Sequence, residues 1–156
     1  MFRESLKVAV NIVETPAPIL IVDDNPRDIT LFQAALENCA IACRVHVASH
    51  AHQAIAYLRG EGAFADRKTF PLPGIIFTDL NMPVADGFEL LLWLRGHPEH
   101  RQMPVVVWTT SRMESDIRRA YGLGAHSYMV KPVNFDQLEH MMRLAFEYWS
   151  VCEKPR

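Results

Sequence analysis

The chain has 156 residues, 49% of them hydrophobic, which is enough for one domain with a real core and too short for two ordinary ones. A formal net charge of −2 leaves no basic footprint for non-specific nucleic-acid binding. Three cysteines, Cys39, Cys43 and Cys152, form no CxxC pair, and Met1 to Pro18 has no long hydrophobic centre. Neither a disulfide framework, a secretory signal nor a membrane span is expected, and the chain reads as a soluble cytoplasmic protein.

In chain order, residues 1–17 read as an N-terminal extension, 18–151 as the folded domain and 152–156 as a short tail. Ile19 to Val22 is a four-residue apolar strand that stops at Asp23-Asp24. Asn25 is a plausible N-cap with Pro26 at the first helical position, and Ile29, Phe32, Leu36 and Cys39 repeat on one helical face. Arg44 to Ala48 is predicted as the second strand and His50 to Leu58 as the second helix, ended by Gly60 and Gly62. The stretch from there to Pro73 reads as a loop longer than most helix–strand connections, an expected insertion.

Gly74 to Thr78 is the third predicted strand, delivering Asp79 into the turn Leu80-Asn81-Met82-Pro83, after which Asp86-Gly87 opens a helix through Arg95. Val105 to Trp108 is the fourth strand, followed by Thr109-Thr110-Ser111 and a more polar helix from Glu114 to Gly122. Ser127 to Val130 is the fifth, ending at Lys131-Pro132. The last helix, from about Asn134 to Ser150, carries Phe135, Leu138, Met142, Ala145 and Trp149 as one stripe. Met141, Leu144 and Tyr148 broaden its apolar surface, which leaves a partner surface and ordinary exposed apolar residues both open.

Five βα units in regular alternation predict an α/β fold, an open, doubly wound parallel sheet with helices on both faces. Apolar runs that end in charge mark the carboxyl edge of such a sheet, where side chains from separate strands meet. Asp23, Asp24, Asp79, Thr109 and Lys131 then share one site. Three carboxylates against one ammonium leave a charge of about −2, which a divalent cation would relieve. An all-oxygen ligand set suits Mg²⁺ better than Zn²⁺, and a hard metal beside a lysine suggests phosphoryl chemistry.

Val22-Asp23-Asp24-Asn25, Asp79-Leu80-Asn81-Met82-Pro83 with Asp86-Gly87, Thr109, Tyr128 and Lys131-Pro132 together resemble the receiver domain of two-component response regulators, over nearly the whole chain from Ile19 to about Trp149. The resemblance implies a flavodoxin-like (βα)5 doubly wound sheet with strand order 2-1-3-4-5. It implies Asp79 as the phosphoacceptor from a phosphohistidine, and Mg²⁺ held directly by Asp24, Asp79 and the Asn81 backbone carbonyl, with Asp23 acting mostly through water. Lys131 would pair with a phosphoryl oxygen, Thr109 would move to the phosphoryl group, and Tyr128 would turn into the space vacated. The Lys131-Pro132 bond resembles the family's cis peptide. Asn81 and Ser111 lie where family members tune hydrolysis of the phosphoryl group.

A narrower resemblance is to the stand-alone receivers paired with bacterial and cyanobacterial phytochromes. It rests on Tyr57-Leu58-Arg59-Gly60-Glu61-Gly62 with its long following loop, on Thr109-Thr110-Ser111 and on the aromatic terminal helix. This implies a light-sensing histidine kinase as phosphodonor, a homodimer through the C-terminal helix face, no direct contact with nucleic acid or membrane, and a signalling protein rather than an enzyme. The alternatives are a Mg²⁺-dependent phosphatase or phosphotransferase on a small molecule, or a constitutive binding module. Such an enzyme should carry a second acid two residues past its nucleophile, where this chain has Asn81.

Taken singly, each residue has a plainer reading. Asp23 and Asp24 would flank a helix N-terminus, Thr109 would bond to backbone, and Tyr128 would pack with its hydroxyl in water. The histidines at 50, 52, 97 and 100 read as surface groups, and Arg118 and Arg119 as a solvated helix face. Thr78 before Asp79 and Trp108 before Thr109 depart from the family's usual residues.

Overall fold

The strands are short because each needs only to cross one buried layer, and their residues alternate between two cores. In the computed structural model, which describes residues 17–153, they are β1 (Ile19–Val22), β2 (Val45–Ala48), β3 (Ile75–Thr78), β4 (Val105–Thr109) and β5 (Ser127–Val130). All pairs are parallel, in the order β2-β1-β3-β4-β5. The helices are α1 (Pro26–Asn38), α2 (Ala51–Arg59), α3 (Gly87–Arg95), α4 (Glu114–Gly122) and α5 (Phe135–Ser150). Apart from Ala17, Cys152 and Glu153, the predicted extension and tail lie outside the described residues.

Leu20, Val22, Ile76, Val105 and Val107 face one way, onto α2, α3 and Ala120 of α4. Their neighbours Ile19, Ile21, Phe77, Val106 and Trp108 face the other way, onto Phe32 and Leu36 of α1 and Leu138, Met142 and Phe146 of α5. This two-sided burial is why the central strands read as unbroken apolar runs. Among the described residues no helix is long and apolar enough to cross a membrane.

Local chemistry sets the helix starts. The Asn25 side chain accepts from the N–H groups of Arg27 and Asp28, as the cap reading expects. Asp86 and Glu89 form a reciprocal capping box at α3. His50, read as a surface group, accepts the Gln53 N–H through Nδ1 and caps α2. Arg119 is not simply solvated: its guanidinium stands 4.0 Å from the Phe88 ring centroid and joins α4 to α3.

The long loop after α2 is packed. Tyr57, Phe64 and Phe70 form an aromatic cluster beside His46, with Phe70 edge-on to the other two, and the Tyr57 hydroxyl donates to the Pro71 carbonyl at 2.8 Å. Arg67 folds back to donate to the carbonyls of Tyr57, Leu58 and Phe70, two of which lie at the open end of α2. Arg67→Ala should therefore lower stability by about 1–2 kcal/mol in urea unfolding. Arg67→Lys should leave most of that loss, since an ammonium cannot reproduce the planar fork.

Candidate functional site

The strand register determines which side chains meet. Val22 pairs with Thr78 across β1 and β3, so Asp23 and Asp79 leave the sheet side by side. Backbone bonding continues past the strands, with the Asp79 N–H donating to Val22 O at 2.8 Å and the Lys131 N–H to Thr109 O at 2.7 Å. Thr78 is level with Val107 and Val107 with Tyr128, so Lys131 leaves the sheet two residues farther out than Asp79. A long stem is needed to bring its charge back to the pocket.

The Lys131 ammonium donates to Asp23 Oδ2 at 2.7 Å, Asp28 Oδ2 at 2.8 Å and Asp79 Oδ2 at 2.9 Å. Its side chain is only 7% exposed and that of Asp23 1%. Asp79 Oδ1 accepts from the N–H groups of Leu80 and Asn81, at 2.7 and 3.4 Å, which fixes the plane of the carboxylate. Asp23 Oδ1 accepts from the Asn25 N–H at 3.0 Å. Burial works against the lysine's charge, but the hydrogen bonds to Asp23, Asp28 and Asp79 outweigh it and hold the ammonium well above the ordinary lysine range. Burial pushes the Asp23 carboxyl above its ordinary range, and the Lys131 hydrogen bond offsets only part of that.

Ligand oxygens of Asp23, Asp24 and Asp79 lie within 4.8 Å of one another. With Asp28, four carboxylates surround one ammonium, a charge of about −3 when all are ionised. The donor set is all oxygen, and Asp24 at its rim is exposed. A hard divalent cation fits this arrangement.

The structure thus brings Asp23, Asp24, Asp79 and Lys131 together, with Asn81 on the rim. Thr109 is fully buried beside them, and its hydroxyl accepts the Ser111 N–H at 3.3 Å. Tyr128 is half-buried and donates to the Ser111 carbonyl at 2.9 Å, so its hydroxyl is not in water as the plain reading had it. Ser111 therefore joins the two expected switch residues through its own backbone. The Thr78 hydroxyl donates to Asp79 O at 2.9 Å, which gives that departure a role in holding the Asp79 backbone.

Two further findings differ from the sequence reading. No peptide bond among the described residues is cis, so Lys131-Pro132 is trans. Trans is the intrinsically favoured isomer, and Lys131 reaches the pocket with its own N–H anchored on β4. Asp28, absent from the predicted site, is one of the three partners of Lys131. An acid in the first turn of a helix already has a sufficient explanation in the helix dipole. The available signal was its place one turn beyond Asp23-Asp24.

The loop after Asp79 is tight. Ala85 N–H donates to Pro83 O at 2.9 Å across Val84, whose φ of 74° is strained for a β-branched residue. Gly87 closes the loop with its N–H on Leu80 O at 3.0 Å. A Cβ at Gly87 would stand 2.1 Å from the Asp79 carbonyl oxygen.

A doubly wound parallel sheet with acids, a hydroxyl and a lysine converging at its carboxyl edge is the build of a phosphoryl-accepting signalling domain. The sequence pattern of the response regulator receiver domain matches residues 19–143. The protein named Probable methanogenesis regulatory protein FilR2, from Methanothrix harundinacea (strain 6Ac), is 35% identical over 137 residues, 87% of this chain and 85% of its own. Response regulator Rcp1 of Synechocystis sp. (strain ATCC 27184 / PCC 6803 / Kazusa) is 32% identical over 86% of this chain and 89% of its own. The structure of its Mn²⁺-bound form superposes with a TM-score of 0.79 at 31% identity, covering 90% of this chain and 100% of that one. The phosphorylated cyanobacterial phytochrome response regulator RcpA superposes at 0.81 with 36% identity, covering 90% and 99%. This chain belongs to the response regulator receiver domain family and is a signalling protein with a phosphoacceptor role.

Lys131→Met leaves the buried carboxylates without their cation and should cost about 3 kcal/mol in urea unfolding without divalent metal, with millimolar Mg²⁺ recovering part of the loss. Gly87→Ala should destabilise by about 3 kcal/mol or more and lower phosphoryl uptake, because relief of the clash must move the backbone of Asp79.

Proposed function

We propose that Asp79 is the phosphoacceptor of a response regulator whose donor is the phosphohistidine of a sensor histidine kinase of the phytochrome type. The observation that carries this reading is the Lys131 ammonium on Asp79 Oδ2 at 2.9 Å, which places a cation where a phosphoryl oxygen would arrive. An Asp79 oxygen forms a bond to phosphorus as the donor's P–N bond breaks, and the electron pair leaves with the imidazole. Backbone N–H groups on Oδ1 orient the carboxylate for attack.

Asp23, Asp24, Asp79 and the Asn81 backbone carbonyl would hold Mg²⁺, which when bound offsets the negative charge of the carboxylates and of the transferred group. Thr109 is the hydroxyl placed to turn to the phosphoryl group. That movement changes its bond to Ser111, and Tyr128 on the Ser111 carbonyl registers the change. The description of RcpA as a cyanobacterial phytochrome response regulator supports the choice of kinase. Leu144 and Tyr148 on α5, 53% and 65% exposed, support a homodimer through that face as the output. The setting is cytoplasmic, and Asn81 two residues past Asp79 argues against a small-molecule phosphatase.

Intact mass after incubation with acetyl phosphate tests the reading. The native chain should gain one phosphoryl group only with Mg²⁺, and Asp79→Asn should gain none. Undiminished uptake by Asp79→Asn would sink the acceptor assignment, and identical size-exclusion elution before and after uptake would sink phosphorylation-dependent dimerisation.

A further inference from the structure

Asp28 is bonded to Lys131 as closely as Asp79 is, yet it belongs neither to the carboxylate trio that suits a metal nor to the acceptor. We infer that Asp28 is a positioning residue for Lys131, holding the ammonium in the resting pocket and giving it up when a phosphoryl group arrives. This inference rests on Asp79 being the phosphoacceptor.

An ammonium has three protons, and here each is taken by a carboxylate, at 2.7, 2.8 and 2.9 Å. A phosphoryl oxygen can reach Lys131 only by displacing one of them. Stranding Asp23 or Asp79 would leave a charge without a partner in a pocket where their side chains are 1% and 11% exposed. The Asp28 side chain is 25% exposed and can take water in place of the ammonium. It also sits in the first turn of α1, where a released negative charge still meets the positive end of the helix.

Space for the movement is present. A cavity of about 50 Å³ lies against the pair, lined by Asp28, Lys131, Trp108, Pro132 and Leu138 among others. Asp28 therefore competes with the phosphoryl group for Lys131. In the resting state it also draws the ammonium's charge away from Asp23 and Asp79, two of the three carboxylates suited to the metal.

The test compares the native chain with Asp28→Asn and Asp28→Glu. At saturating Mg²⁺, Asp28→Asn should be phosphorylated by acetyl phosphate about three- to tenfold faster, the change expected from losing one charged hydrogen bond in a partly exposed pocket. Asp28→Glu, which restores a carboxylate, should return toward the native rate. An unchanged or slower Asp28→Asn overturns the inference.

Calorimetric Mg²⁺ titration supplies an arm that needs no phosphoryl transfer. Without Asp28 the ammonium falls more fully on Asp23 and Asp79, so Asp28→Asn should bind Mg²⁺ several-fold more weakly than the native chain. The same substitution made in a Lys131→Met background should change the affinity by less than about twofold. Lys131→Gln replaces Lys131→Met in that cycle should the latter not fold. If the native chain takes up no phosphoryl group while these Mg²⁺ differences hold, the acceptor assignment fails and the resting role of Asp28 stands. Equal Mg²⁺ affinity in the native chain and Asp28→Asn, or an equal loss without Lys131, overturns that role.

Discussion

One ammonium, shared among carboxylates from the end of β1, the first turn of α1 and the end of β3, ties together the parts of this molecule that matter for its function. Burial, and to a lesser degree the nearby Asp79 charge, oppose ionisation of Asp23, and Asp28 and Asp79 share its cation. Lys131 makes the cluster tolerable without neutralising it. The residual negative charge is what a divalent cation can use, which is what the proposed metal site requires. The strand register serves this end, since Asp23 and Asp79 must emerge level while Lys131 must start two residues farther out to reach between them.

Asp79, the proposed acceptor, is held from several sides. Its N–H bonds to Val22 O, Oδ1 to two following amides and its carbonyl to the Thr78 hydroxyl, while Gly87 leaves no room for the next loop to drift. Only Oδ2 has a side chain for a partner, and that partner is itself shared. In the proposed acceptor role a carboxylate held this firmly suits group transfer, because it would not need to be ordered at the moment of reaction. The strained φ at Val84 belongs to the same loop, which its hydrogen bonds and the capping box of α3 hold in place.

Much of this was legible in sequence because buried parallel strands are unbroken apolar runs, and the charged residues that end them mark one edge of the sheet. Asp23, Asp79 and Lys131 are each the first residue after such a run. Asp28 was not legible because a helical residue carries no comparable signal, and its side chain joins the site only once α1 is laid against the sheet. Arg119 was misread for a related reason. A charged residue on a polar helix looks solvated until a neighbouring helix supplies an aromatic ring beneath it. Arg67 likewise bonds to carbonyls that become its neighbours only when the loop closes on α2.

The proposed route from Thr109 toward α4 is short and runs through backbone. Thr109 and Tyr128 lie on adjacent strands, and both bond to Ser111, one to its N–H and the other to its carbonyl. In the proposed switch a change at the threonine hydroxyl would be felt first by the segment between β4 and α4, and the tyrosine would respond through that segment. The Ser111 hydroxyl donates in turn to Asp116 on α4 at 2.6 Å, which carries the connection onto a helix. Addition of a phosphoryl group brings roughly one further negative charge and new acceptor oxygens to the pocket. In the proposed switch the groups that would answer are Lys131 on one side and Thr109 on the other, and Thr109 is the one joined through Ser111 to α4.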